Sequence, residues 1–283
     1  MLQPRMIERV REVCHEDERI VSALMFGSFA VGEGDTFSDI EFAVFIRDEV
    51  FDRFDQRAWL EAVCPVAAYF VDDFGHNTAL FENGVRGEFH FLRASEVPIV
   101  ESWQGHGWFP SLDAAVLLDR TGDLSRHAKV LVGGPPARGG AVLAEELGLN
   151  LLNLMLLGAN LLNRGEFARA WALLGRSHEY LLKLVRLSEG TTDHWPTPSR
   201  ALEKDLSATA YERYLTCTAG ARPSELTAAY HASWKWSREL FEAVGGPLNV
   251  DLPPAVLNRV EDLLIQASHT SDGSTHAHVI ARP

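Results

Sequence analysis

With 283 residues, 46% of them hydrophobic and 23% charged, the chain holds enough apolar material for one large domain or two ordinary ones, which excludes a mainly disordered protein. Its 39 acidic side chains against 26 Lys and Arg leave a net charge of −13. A nucleic-acid surface, which wants clustered Lys and Arg, is excluded with it. One triphosphate remains an admissible ligand, because a metal ion and backbone amides can handle it.

The first half reads as mixed α/β. Residues 7–14 have helical spacing, and the apolar run 20–26 is short enough for a buried strand. A glycine-rich turn follows over 27–34, then a second strand over 40–46. Further strands are predicted at 66–71, 78–81, 87–92 and 115–118. The pair Asn83-Gly84, flanked by apolar runs, predicts a hairpin between the 78 and 87 strands. Two prolines among four glycines from Gly133 to Gly140 make the best linker in the chain. Beyond it helices are predicted at 141–163, 167–188, 199–219, 224–243 and 254–267, with Pro254 suited to a first turn. The fold class is therefore α+β: a mixed-sheet domain over 1–132, an all-helical bundle over 141–268, and a flexible tail over 269–283.

Cys14, Cys64 and Cys217 are odd in number, widely spaced and form no zinc pattern, so they read as idle thiols of a reducing cytoplasm. The charged first eighteen residues lack a signal peptide's apolar core. No run reaches the roughly 20 apolar residues of a membrane span, and the greasy stretch 147–162, interrupted by Asn150, Asn153 and Asn160, reads as a core helix.

Chemistry concentrates in Phe26-Gly27-Ser28 and, after ten intervening residues, Asp39-Ile40-Glu41-Phe42. On a strand Asp39 and Glu41 share a face with roots ~6–7 Å apart. Two carboxylates so placed repel by ~2–3 kcal/mol at an effective dielectric near 20. No Lys or Arg is adjacent in sequence, and a divalent metal with oxygen ligands is the natural compensation. Gly27 lets backbone amides approach phosphate oxygens and Ser28 adds a hydroxyl. A third carboxylate, Glu88, alternates with Phe89 and Phe91 and shares a strand face with His90. Phosphate grip beside metal-binding acids is what phosphoryl or nucleotidyl transfer needs.

The pattern apolar-Gly-Ser, ten residues, Asp-apolar-Glu-apolar resembles the signature of the DNA polymerase β-type nucleotidyltransferases. More narrowly, Met25-Phe26-Gly27-Ser28-Phe29, Gly32-Glu33-Gly34-Asp35, Ser38-Asp39-Ile40-Glu41-Phe42, Arg86-Gly87-Glu88-Phe89-His90-Phe91 and Arg164-Gly165-Glu166-Phe167-Ala168-Arg169 are similar to the lincosamide nucleotidyltransferases. The resemblance implies a Mg²⁺-dependent enzyme that transfers AMP from ATP, or another nucleoside monophosphate from its triphosphate, to a hydroxyl of a lincosamide antibiotic. It implies that Asp39 and Glu41 hold Mg²⁺, that Glu88 is the general base, and that Gly27 and Ser28 seat the nucleotide phosphates. The third acid is Glu where many members have Asp, and its longer arm favours base over tight metal ligand. Expected partners are the antibiotic and the triphosphate, with no nucleic acid or membrane and a homodimer as an admissible assembly.

Two alternatives stand beside this reading. One is the same chemistry on an aminoglycoside; the other, of a different class, is a non-catalytic nucleotide-binding or regulatory module. Trp103 and Trp108 are candidates for an acceptor pocket, Trp234 and Trp236 for core packing, His90 for a hydrogen-bonded neighbour of the site, and His269, His276 and His278 for a loose tail.

Overall fold

The computed structural model describes residues 1–273 and divides the chain into two compact units, Met1–Pro136 and Ala137–Pro283. The first unit opens with α1 (Gln3–Glu16), which buries Met6, Val10, Val13 and Cys14 on one face. β1 (Ile20–Phe26) runs into a single helical turn, α2 (Gly27–Ala30), where the sequence suggested an open glycine-rich turn. β2 (Ile40–Ile46), the short helices α3 (Asp48–Phe51) and α4 (Gln56–Glu61), and then β3 (Val66–Val71), β4 (Asn77–Phe81) and β5 (Arg86–Arg93) follow. After a 3₁₀ stretch (Ala94–Trp103) come α5 (Leu112–Ala115), the edge strand β6 (Val116–Asp119) and α6 (Asp123–Ala128).

The six strands form one mixed sheet in the order β3-β4-β5-β2-β1-β6. Four neighbouring pairs are antiparallel, and β2 with β5 is parallel. The predicted hairpin is present: β4 and β5 pair across Asn83-Gly84, with Gly84 at φ +83° where a side chain would be strained.

Alternation explains why this sheet keeps one face polar at one end. In β5 the residues Gly87, Phe89 and Phe91 are buried, while Arg86, Glu88 and His90 are half-buried on the other face. Phe89 stacks on Phe42 at 5.2 Å and meets Trp59 edge-on at 6.2 Å. Burying one such phenylalanine contributes about 1.5–3 kcal/mol. A one-residue slip of β5 would drive Glu88 and His90 into that apolar layer, so the core pins the register that presents the acids.

The second unit is helical: α7 (Ala141–Asn163), α8 (Phe167–Glu189), α9 (Leu202–Asp205), α10 (Ala208–Thr216), α11 (Pro223–Leu240) and α12 (Pro254–Gly273). By length and composition alone α7 could cross a membrane, but Leu147, Leu151, Leu152, Met155, Ala159, Leu161 and Leu162 go into the unit's core. Gly158 admits α11, because a Cβ there would stand 2.2 Å from the Tyr230 ring. The Tyr230 hydroxyl donates to the Ala170 carbonyl at 2.8 Å. Trp234 and Trp236 are both buried in this core.

Two helical expectations are corrected. Residues 199–219 do not form one helix: α9 ends at Asp205, and Ser207 caps a new helix by accepting from the Ala210 amide. The break follows the buried Arg186, which donates to the carbonyls of Thr191, Pro198 and Arg200 and so bends this segment around itself. The last helix continues to Gly273, past the expected start of a tail at 269; the rest of that tail lies outside the described residues.

Candidate active site

The sheet register assembles the candidate residues. Glu41 on β2 pairs with Glu88 on the parallel strand β5 and, across the other side, with Phe26 at the end of β1. Thr78 on β4 continues the row by pairing with Glu88. Because directly opposite residues share a face, Phe26, Glu41, Glu88 and Thr78 form one transverse row. Asp39 enters from the loop just before β2, rather than from the strand itself as the spacing suggested.

Gly27 is required by a close approach. It sits at φ +70°, and a Cβ on it would fall 1.4 Å from Oε2 of Glu41. The Glu41 carboxylate therefore lies directly over the Gly27 backbone, and the Ser28 amide donates to it. The Ser28 hydroxyl is buried and finds no partner in the protein. Such an orphan costs on the order of 1–3 kcal/mol and calls for an explanation. A bound oxygen-rich ligand would provide one.

The acids also meet positive charge supplied by the protein itself. Arg86, the first residue of β5, ion-pairs with Asp39 and reaches Asp72 at 3.2 Å and Glu88 at 3.6 Å. No arginine is adjacent in sequence, but β5 delivers one across the sheet, 47 residues along the chain from Asp39. Glu88 also receives two imidazoles. His90 Nε2 lies 2.8 Å from its Oε1 and His76 Nδ1 3.3 Å from the same atom. His90 is the hydrogen-bonded neighbour that the strand alternation indicated.

Electrostatics then separate the two glutamates. Burial, joined by the negative charges of Asp39 and Glu88, pushes the Glu41 carboxyl up to about 7, against the Ser28 amide and Arg86. The His90 hydrogen bond holds Glu88 below its ordinary value despite burial, with the charges of His76, His90 and Arg86 adding to it. Neighbouring carboxyls driven apart in this way are typical of sites with divided roles.

Sequence reasoning missed Asp72 and His76. Both belong to the tight turn between β3 and β4, where the Asp72 carboxylate accepts from the amides of Phe74 and His76. Asp-x-x-Gly between two apolar runs was the available signal, an Asx turn that fixes its last residues. Trp103 stands 6.0 Å from Phe26, whose ring is 5.4 Å from His90, so it borders the site.

Asp39 and Glu41 offer an oxygen-only donor set beside a buried carboxyl whose ionisation lacks sufficient positive charge, and a hard divalent cation suits both facts.

Residues 140–263 match the model of the family described as lincosamide nucleotidyltransferase-like, C-terminal domain. The likeness read from the Gly-Ser and Asp-x-Glu segments of the first unit is thus joined by a match of the helical unit. The lincosamide nucleotidyltransferase-like match spans α7 through the first half of α12 and includes the α7–α8 turn with Gly165 at φ +71°. A search of the curated proteins found no match. Among solved structures, an aminoglycoside 6-adenyltransferase from Bacillus subtilis aligns over 96% of this chain and 98% of its own, at 14% identity and a TM-score of 0.34. A nucleotidyltransferase-like protein from Exiguobacterium sibiricum aligns over 95% and 91%, at 15% identity and a TM-score of 0.38. At those scores neither likeness bears on the reaction.

Proposed function

We propose that the protein transfers a nucleoside monophosphate, AMP from ATP, to a hydroxyl of a lincosamide antibiotic. The observation that carries the reading is the register that sets Glu41 level with Glu88, with Asp39 tied to the same Arg86, beside Gly27 and the buried Ser28 hydroxyl. The lincosamide nucleotidyltransferase-like helical unit supports this acceptor class.

In this reading Asp39 and Glu41 hold Mg²⁺, which when bound neutralises charge on the triphosphate. Gly27 and Ser28 seat phosphate oxygens, Ser28 through its unpartnered hydroxyl. Glu88 takes the proton from the acceptor hydroxyl. Its depressed pKa, held by the His90 hydrogen bond at 2.8 Å, keeps it ionised and ready, at the expense of proton affinity. Phe74, 84% exposed beside His76, supplies apolar surface of the kind a lincosamide's alkyl arm would use.

Pyrophosphate release from ATP and Mg²⁺, with lincomycin, clindamycin and kanamycin offered in turn, tests the proposal. Release with the first two supports it, release with kanamycin alone moves the acceptor to aminoglycosides, and release with none leaves a nucleotide-binding module. Asp39→Asn is expected to abolish turnover. Glu88→Gln should lower kcat by ~10²–10⁴ while nucleotide binding persists. Wild-type turnover in that variant would remove Glu88 from the base role.

A further inference from the structure

The imidazoles on Glu88 form a group with its own chemistry. His76, Glu88 and His90 each present one ligand atom, all within 4.8 Å of one another and all on half-buried side chains. The two imidazole rings stand 5.1 Å apart and aim at the same carboxylate oxygen. Three donors that share a zinc-sized ion at ~2.1 Å are themselves about 3–3.5 Å apart. The observed 2.8 and 3.3 Å spacings to Glu88 Oε1 therefore need only small shifts to admit an ion.

The surroundings are built to hold these donors. The Asp72 carboxylate accepts from the His76 amide at 2.9 Å and from the Thr78 hydroxyl at 3.2 Å, fixing the turn that carries His76. Arg86 takes the other Glu88 oxygen at 3.6 Å, leaving Oε1 to the imidazoles. Phe74 stacks beside His76 and Phe26 packs against His90. Outer contacts of this kind orient metal ligands and tune them.

We propose that His76, Glu88 and His90 form a second metal site, selective for a borderline-soft divalent ion such as Zn²⁺ and distinct in donor set from the Asp39–Glu41 pair. Two neutral nitrogens and one carboxylate suit Zn²⁺, Co²⁺ or Ni²⁺, whereas Mg²⁺ prefers oxygen alone. An ion there engages Glu88 and withdraws it from proton transfer. That inhibitory consequence rests on the transferase reading; the binding itself does not.

Co²⁺ added to the full chain, followed by visible absorption and calorimetry, is the direct probe. We expect one equivalent with the ligand-field bands of mixed nitrogen and oxygen coordination, displaced by Zn²⁺ but not by millimolar Mg²⁺. His76→Gln and His90→Gln should each weaken uptake by at least 100-fold, beyond the roughly 10–100-fold that losing an outer partner costs. Asp39→Asn should change it less than about 3-fold. Far-UV circular dichroism and thermal melts identify any variant that fails to fold, and the Zn²⁺ and Mg²⁺ competition in the wild type then decides without it. Displacement of Co²⁺ by Mg²⁺, or undiminished uptake in a folded double-histidine variant, overturns the proposal. Co²⁺ uptake without pyrophosphate release from any acceptor would overturn the transferase and leave the metal site standing. Turnover unaffected by Zn²⁺, with no Co²⁺ uptake, would do the reverse.

Discussion

Two clusters of charge, one in each unit, are built on opposite rules. In the helical unit Arg186 is fully buried and every donor group is committed: Nε to the Pro198 carbonyl, Nη1 to Thr191 and Asp205, Nη2 to Arg200. His194 completes the set by meeting the same Asp205 oxygen at 2.6 Å. At the sheet end of the first unit, Asp39, Asp72 and Glu88 share the single guanidinium of Arg86, while Glu41 is left with one backbone amide. A saturated cluster stabilises a particular chain path and nothing more. A cluster with surplus acid is a cost the fold carries, and such costs gather where a ligand relieves them.

The largest effect should come from the saturated cluster. Arg186→Met strands three carbonyls and leaves Asp205 with His194 alone of this cluster, and is expected to cost about 3–5 kcal/mol in urea denaturation. A loss below about 1 kcal/mol would erase the contrast between the clusters.

Second comes the pH dependence of Glu41 in metal-free protein. Its carboxyl stands near 7 in the folded state against an ordinary 4.5, so the folded protein binds more protons between those values. Stability attributable to this group is then lost as pH rises from about 4.5 to about 7, and the loss is complete above that window. Glu41→Gln should leave stability unchanged near pH 4 and raise it by on the order of 2–3 kcal/mol near pH 8. Parallel pH–stability curves for variant and wild type would refute the strain assigned to this site.

A sharper, smaller test is Gly27→Ala. The added methyl meets Glu41 head-on at a positive φ, so turnover should fall about 100-fold, the penalty typical of displacing a catalytic group by roughly 1 Å. Pyrophosphate release reads it directly, and wild-type kinetics would show that Glu41 has no fixed task. The smallest expected effect is Mg²⁺ itself. At ten times its dissociation constant the ion should stabilise the wild type by about 1.4 kcal/mol, seen as a raised Tm. Neither Asp39→Asn nor Glu41→Gln should respond, and an equal rise in all three proteins would place Mg²⁺ elsewhere.

Much of the fold was legible because local rules sufficed. Asn83-Gly84 carries its turn in its own backbone preferences, and Phe89 and Phe91 alternate with Glu88 and His90 in a way only a strand with one apolar face explains. The helix over Ala141–Asn163 was legible for a similar reason, its apolar positions recurring between clear breakers. What the sequence misread depends on distant partners. The split at Asp205–Ser207 answers to a guanidinium on α8, and the countercharge for Asp39 arrives on another strand.

The amino-acid order alone pointed to Gly27, Ser28, Asp39, Glu41 and Glu88 as candidates for one chemistry, through their spacing, their apolar frame and the resemblance they carry. Only the tertiary structure decided how that chemistry is balanced. Strand pairing brought Glu88 level with Glu41, laid Arg86 against Asp39 and turned His76 onto Glu88. The reason is physical: a residue's type and its near neighbours set what it can do, whereas its charge state depends on burial and on groups that meet it only when the sheet closes.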